Sequence, residues 1–304
     1  MEFGKLQDIS QVDFSLPDDH LQTQSLLKKL PQPQTTQLYV GCPQWANKEW
    51  IGKVYPPGTK ANQFLQHYSK HFDTVELNSS YYHVPEPETI RRWKSQTTNN
   101  FTFCPKVFQE ISHAPGLGLQ SPAFDSFTEA IAHFEEKYGI SFLQLPPYFS
   151  VFDAPILLRF LEAFPEHLPL AIEFRHPSWF RGDNPLADDV FDCMEALNIA
   201  PVITDVAGRR DVLHQRLTCG TVAIRFVGNN LHESDYTRLE AWAGRLHYWM
   251  SAGVHRIYFW LHQPDLLNNL YMAKFFAEVI FKKTKRQIIS PKFLTNPVQK
   301  TIFD

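Results

Sequence analysis

The chain of 304 residues contains no stretch that approaches the roughly 18 consecutive apolar residues of a membrane-spanning helix. Its opening, MEFGKLQDIS, has no apolar core of the kind a secretory leader carries, so a cytoplasmic protein without membrane contact is expected. No C-x-x-C pair is present either. Cys42, Cys104, Cys193 and Cys219 are scattered, which argues against a zinc site or a thioredoxin-like motif and leaves buried free thiols as the expectation. Neither sign of charge is in marked excess: 29 basic residues face 32 acidic ones, for a formal charge of -3, so there is no global basic field to hold nucleic acid or anionic lipid. No G-x-G-x-x-G follows the first β-like run and no P-loop occurs, which removes the usual support for a nucleotide-binding open sheet.

What is present is apolar and finely divided. Hydrophobic residues make up 43%, aromatics 14% with 25 Phe, and 22 Pro are spread along the chain, a composition that buries a large core in many short elements. Residues 1–37 form an N-terminal extension, with one helical pattern from Leu21 to Leu30 that stops at Pro31. From residue 38 to 304, β-like runs alternate with helical patterns. There are eight runs: LYVGC (38–42), DTVELN (73–78), FTFCPK (101–106), ISFLQL (140–145), LAIEF (170–174), APVITD (200–205), TVAIRF (221–226) and HRIYFW (255–260). Helical spacing is clearest in ANQFLQHYSKHF, PETIRRWKSQT, SFTEAIAHFEEKY and ESDYTRLEAWAGRLHYWM. The segment AGRRDVLHQRLTC, between the sixth and seventh runs, is too short and polar for a full helix. Eight strands with crossovers over this length predict a single α/β domain, a (β/α)8 TIM-type barrel preceded by the extension.

Polar residues fall where such a barrel builds its active site. Glu76 and Asn78 end the second run, Lys106 the third, Gln144 the fourth, Glu173 and Arg175 the fifth, Asp205 the sixth and Arg225 the seventh, while the eighth leads into His262 and Gln263. In a parallel barrel these ends converge on one mouth. Glu76 with Asn78, and Glu173 with Arg175, are two apart and share a strand face. The competing reading is a structural ion-pair network, because three carboxylates and three cations form a nearly neutral set able to offset their own desolvation. Beyond the fifth run, EFRHPSWF offers His176 as a proton donor and Trp179 as a stacking platform, with a cap before Pro177 as the plainer role for His176. NSSYYHVPEPET supplies Tyr81, Tyr82 and His83. Tyrosines in such places are more often packing residues, and of these Tyr82 is taken as a substrate contact, as is His113 in EISHAP.

At these residues the chain resembles the DUF72 family, the YecE-like proteins of unknown function, whose members form a TIM barrel. The resemblance is carried by GCPQW with Trp50 and VYPPG, FDTVELNSSYYHVP, Trp93, FTFCPK with His113, LQLPPYF, IEFRHPSW, Asp205 and the Arg of IRFVG, over residues 39 to about 262. It implies the barrel and brings no reaction. The departures lie at the mouth: the family pattern has an Arg at His83, a His-Gly pair at Val227 and Gly228, and an Asn pair at Leu261 and His262.

Three functions are consistent with these residues. The first is an enzyme for a small polar or anionic substrate, such as a sugar phosphate or a nucleotide derivative. Arg175, Arg225 and Lys106 would grip the anionic group, Glu76 and Glu173 would act as the acid/base pair, and Asp205 or His176 would orient one of them. Hydrolysis, elimination and isomerisation are not separated, and no cofactor is required by the sequence. The second holds a divalent metal on Glu76, Glu173, Asp205 and a histidine, against the repulsion of Arg175. The third is a binding module for nucleic acid or protein, though no stripe of basic and aromatic residues supports it. The first predicts that Glu76, Lys106, Glu173, Arg175, Asp205 and Arg225 open onto one cavity. Oligomeric state is left open by all three.

Overall fold

A computed structural model describes residues 4–294 of the chain. The eight runs form eight strands: β1 (Gln37–Cys42), β2 (Thr74–Leu77), β3 (Thr102–Pro105), β4 (Ser141–Gln144), β5 (Leu170–Glu173), β6 (Ala200–Asp205), β7 (Thr221–Val227) and β8 (Arg256–His262). They lie in the order β3-β2-β1-β8-β7-β6-β5-β4, and every ladder is parallel. Isolated bridges Phe103↔Tyr138 and Lys106↔Phe142 bring β3 against β4, so the sheet curls into a nearly closed (β/α)8 barrel. β1 and β2 can approach only because residue 41 is glycine: a Cβ there would lie 2.2 Å from the Thr74 carbonyl oxygen.

Alternation along each strand divides the core in two. Tyr39, Phe142, Ala171, Val202, Ala223 and Trp260 fill the barrel interior. Val40, Val75, Ile172, Ile224 and Phe259 face outward against the helices. This division assigns every polar residue at a strand end to one side or the other.

The sixth unit departs from the repeat as its sequence predicts. After β6 the chain makes a short 3-10 segment, Ala207–Val212, with no α-helix before β7. The helix Leu21–Lys29 packs over the strip left bare. Thr23 Oγ1 donates to the Gln215 carbonyl (2.8 Å) and accepts from the Leu217 amide (2.8 Å), and Leu26 and Leu27 are buried. The neighbouring helices hold it from both sides, through Lys29 with Glu195 (3.7 Å) and through Asp19, which accepts from Arg245 (2.5 Å) and Trp249 Nε1 (3.2 Å). Burying two leucines contributes roughly 1.5–3 kcal/mol each. No helix among the described residues is long and apolar enough to cross a membrane. Cys42, Cys104 and Cys219 are buried free thiols and Cys193 is partly buried; burial pushes the Cys104 thiol up to about 12.

Candidate active site

Inward-facing positions at the C-terminal ends of six strands carry a continuous polar network. Arg225, on β7, lies at its centre: Nη1 donates to Glu173 Oε2 (3.0 Å) and Oε1 (3.2 Å), while Nη2 and Nε donate to Glu76 Oε1 (3.0 Å) and Oε2 (3.2 Å). Arg175 Nε donates to Glu173 Oε1 (3.0 Å). Gln144 Nε2 donates to Glu173 Oε2 (2.8 Å), and Lys106 Nζ donates to Gln144 Oε1 (2.8 Å). On the far side Asn78 Nδ2 donates to Glu76 Oε1 (3.0 Å), and His262 Nε2 donates to Glu76 Oε2 (2.5 Å). That bond orients the ring and leaves Nδ1 without a partner among the described residues, on a side chain 17% exposed.

The floor of this group is closed to water. Glu76 and Glu173 are fully buried, and Arg225, Lys106, Gln144 and Arg175 are 2%, 4%, 4% and 8% exposed. Burial is the largest single influence and would drive both carboxyls up, but it is outweighed by the charge of Arg225 acting together with His262 at Glu76, and with Arg175 and the Gln144 hydrogen bond at Glu173. Glu76 is held well below the usual carboxylate range and Glu173 is brought down to about 2. The two pKa values therefore move together under one guanidinium; they are not pushed apart as an acid/base pair of carboxylates requires. Arg225 is in turn held charged: burial works against it, and Glu173 and Glu76 more than compensate. Lys106 goes the other way, to about 8, first through burial and then through the charge of Arg225.

An aromatic rim overlies the floor. The Tyr81 ring lies 4.1 Å from Lys106 Nζ, and the exposed Tyr82 meets Tyr81 edge-on with centroids 4.9 Å apart. Tyr81 is thus the residue over the network, and Tyr82 stands one layer out. His113 is exposed beside Tyr81, its Nδ1 2.9 Å from Ser112 Oγ, and its pKa is lowered by burial and by the charges of Lys106 and Arg175.

Three sequence expectations are corrected. Asp205 does not share the mouth: it faces outward, accepting from Trp242 Nε1 (2.8 Å), Arg238 Nη1 (3.1 Å) and Arg210. Its position one residue past the inward-facing Thr204 sends it to the opposite side of the sheet. Trp179 is no exposed platform; it is 2% exposed, with Nε1 donating to the Phe149 carbonyl (2.9 Å) and its ring against Phe174. His176 does not reach the carboxylates through Nδ1, which accepts from Ser178 N (3.2 Å) and Ser178 Oγ (2.7 Å) and caps the turn Pro177–Trp179.

The metal arrangement also fails on geometry. Asp205 lies elsewhere, Arg225 fills the space between Glu76 and Glu173, and the described residues hold no group of three His, Cys, Asp or Glu side chains able to take a metal ion. Two polar atoms escaped the sequence reading. Thr204 and Trp260 are the register partners of Arg225 on either side, both buried and on the inner face, and Thr204 Oγ1 and Trp260 Nε1 have no hydrogen-bond partner among the described residues. Ala200 and Val202 lie on the inner face, and steps of two from them reach Thr204, but their face is fixed only by the register with β7. Of the family departures, Val227 and His262 are register partners on β7 and β8, so the imidazole lies one strand from the place the family pattern gives it. His83 is exposed, and Leu261 packs outward in the helix-side core.

The family model described as "Protein of unknown function DUF72" matches residues 39–295. The UPF0759 protein YecE of Escherichia coli K12 is 28% identical over 246 residues, covering 75% of this chain and 87% of its own length. The UPF0759 protein YunF of Bacillus subtilis is 29% identical over 150 residues, 47% of this chain and 52% of its own. Among solved structures, a DUF72 family protein from Enterococcus faecalis V583 superposes with a TM-score of 0.65 at 18% identity, over 82% of this chain and 99% of that one. One from Thermotoga maritima MSB8 gives 0.59 at 24% identity, over 82% and 99%. At these identities the structural likeness speaks to fold.

Proposed function

The chain belongs to the DUF72 family, and from the charge balance of its barrel mouth we propose that it is an enzyme acting by proton transfer on a small substrate that carries an anionic group. The observation that carries this is the surplus cation. Among the described residues, Glu76 and Glu173 are already shared by Arg225 and Arg175, so Lys106, hydrogen-bonded to the neutral Gln144, is a third cation for two carboxylates. A buried site with one positive charge in excess favours a ligand that supplies the missing negative one. Lys106 and Arg175 hold the anionic group, and beside them the buried Thr204 hydroxyl and Trp260 indole carry hydrogen-bonding capacity that no described residue uses.

The acid/base work falls to His262 and Lys106. Both carboxylates are held as anions, whereas the bond from His262 Nε2–H to Glu76 orients the ring, so that Nδ1 is the atom that exchanges a proton with substrate. Isomerisation and elimination need one such group; hydrolysis needs it to activate water.

Binding tests the reading directly. A panel of small carboxylates and phosphate monoesters at low millimolar concentration, screened by thermal shift and confirmed by calorimetry, is expected to raise the Tm of the native protein. Lys106→Met and Arg175→Met should each lose at least about tenfold in affinity, the loss of one charge-assisted contact. Anion binding that is absent, or equal in both variants, overturns the proposal.

A further inference from the structure

Gln144 is oriented by its neighbours. Glu173 is an anion that can only accept, so the amide must turn its nitrogen to Glu173 Oε2 (2.8 Å), and its oxygen then faces Lys106 Nζ (2.8 Å). Lys106 thereby gains an acceptor without gaining a countercharge. The buried Lys137, whose pKa burial also lowers, shows how fully the chain can surround an ammonium group with acceptors. Lys137 Nζ donates to the carbonyls of Lys94 (2.8 Å), Thr97 (3.0 Å) and Thr98 (3.1 Å) and to Thr97 Oγ1 (2.7 Å), well away from the mouth. Lys106 has one amide oxygen and the face of Tyr81 at 4.1 Å; burial and the charges of Arg225 and Arg175 oppose its own charge, against a partial offset from Glu173 and Glu76, with which it makes no ion pair.

We propose that Lys106 is a nucleophilic amine that forms an imine with the carbonyl carbon of a small oxo acid bound at the mouth. This rests on the anion-binding reading above and names its substrate class. Neutral Nζ bonds to the carbonyl carbon, the carbonyl oxygen leaves as water with the two amine protons, and one proton from solvent gives the charged iminium. The charges of the described residues support an acid as partner: with the substrate carboxylate present, three anions face Arg225, Arg175 and the iminium, and their surplus disappears. With its pKa near 8, Lys106 has a neutral fraction at pH 7 roughly three hundredfold larger than that of an ordinary lysine.

The experiment is reductive trapping on the full chain. Glyoxylate, the smallest compound joining an aldehyde to a carboxylate, and separately pyruvate, are added with cyanoborohydride, whose hydride reduces the iminium to a stable amine. Peptide mass mapping then gives the labelling rate at each lysine. Lys106 is expected to label at least about tenfold faster than any other lysine of the same folded sample, and Lys106→Arg to lose that label alone. Comparing lysines within one native sample keeps the test independent of how the variant folds. Labelling at Lys106 no faster than elsewhere overturns the proposal. Lactate, which has the carboxylate without the carbonyl, separates the two readings: a lactate-induced rise in Tm with no preferential labelling removes the imine and leaves anion binding, and failure of both removes both.

Discussion

Two buried ion-pair groups lie on opposite sides of one sheet, and they are built differently. On the outer side, Asp205 and Asp235 face Arg210 and Arg238, two charges against two. Nearly every remaining site on them is taken by the scaffold. Arg238 donates twice to the Val227 carbonyl (3.1 and 2.9 Å) and lies over Phe226, while Asp235 accepts from the amides of Asn229 (2.8 Å) and Leu231 (3.1 Å) and from Gln263 Nε2 (3.1 Å). On the inner side, among the described residues, three cations face two carboxylates, the contacts within the network run from side chain to side chain, and two neighbouring donors are unused. A balanced, saturated cluster is what a scaffold needs; an unbalanced one is what a ligand completes.

Removing an arginine from the balanced side should have the largest effect. Arg238→Met leaves Asp205 and Asp235 undercompensated and should cost about 3–5 kcal/mol in denaturant unfolding at neutral pH. A loss under about 1 kcal/mol would dissolve the contrast. Acid acts next, through Glu173. Its folded pKa, about 2, lies below the unfolded value near 4.5, so its contribution is fully present above that unfolded value and is lost as pH falls toward the folded one. That contribution is on the order of 3 kcal/mol, and the steep acid limb of the stability profile should flatten in Glu173→Gln.

Lys106 should show the opposite sign. Its folded pKa of about 8 is depressed from 10.5, so the unfolded chain binds more protons between these values, and stability should rise as pH climbs from 8 toward 10. Lys106→Met should abolish that rise and, at neutral pH, stabilise the protein by about 1–2 kcal/mol, the mark of a residue kept at a cost to the fold. A destabilised Lys106→Met would place Lys106 with the scaffold. Smallest is the effect at Thr204, beside Asp205 in sequence and across the sheet from it in space. Thr204→Val should leave stability within about 1 kcal/mol of native or raise it, since the hydroxyl is unpaired, while weakening the anion binding measured by calorimetry.

The barrel was readable because its cause is local. β-branched and aromatic runs, each followed by a helical period, need only neighbouring residues to declare themselves, and the polar group ending each run declares the mouth. Facing is not local in the same way. Glu173 and Arg175 mark their own strand face by spacing, but APVITD offers a threonine and an aspartate on successive positions, and only the register with β7 decides which one turns inward. Trp179 and Tyr81 illustrate the same limit for loops. An indole after a strand reads alike whether it covers a mouth or fills the space under Phe149, and two adjacent tyrosines on one turn differ only in which meets Lys106. The missing sixth helix was legible as an absence; that Leu21–Lys29 would cover its strip depends on contacts almost two hundred residues away.

That distance has a cost in time. Thr23 and its partner Gln215 are separated by 192 residues. During synthesis at the usual 5–20 residues per second, the first helix therefore waits roughly ten to forty seconds before the strip it covers exists. Through that interval Leu26 and Leu27 have nothing of their native surroundings to bury against, and a nine-residue helix is too short to persist unaided. The helix is made long before the strip it docks on, so the nascent chain carries an apolar patch that chaperones, or a second copy of the unfinished barrel, can reach before its own seventh strand is made.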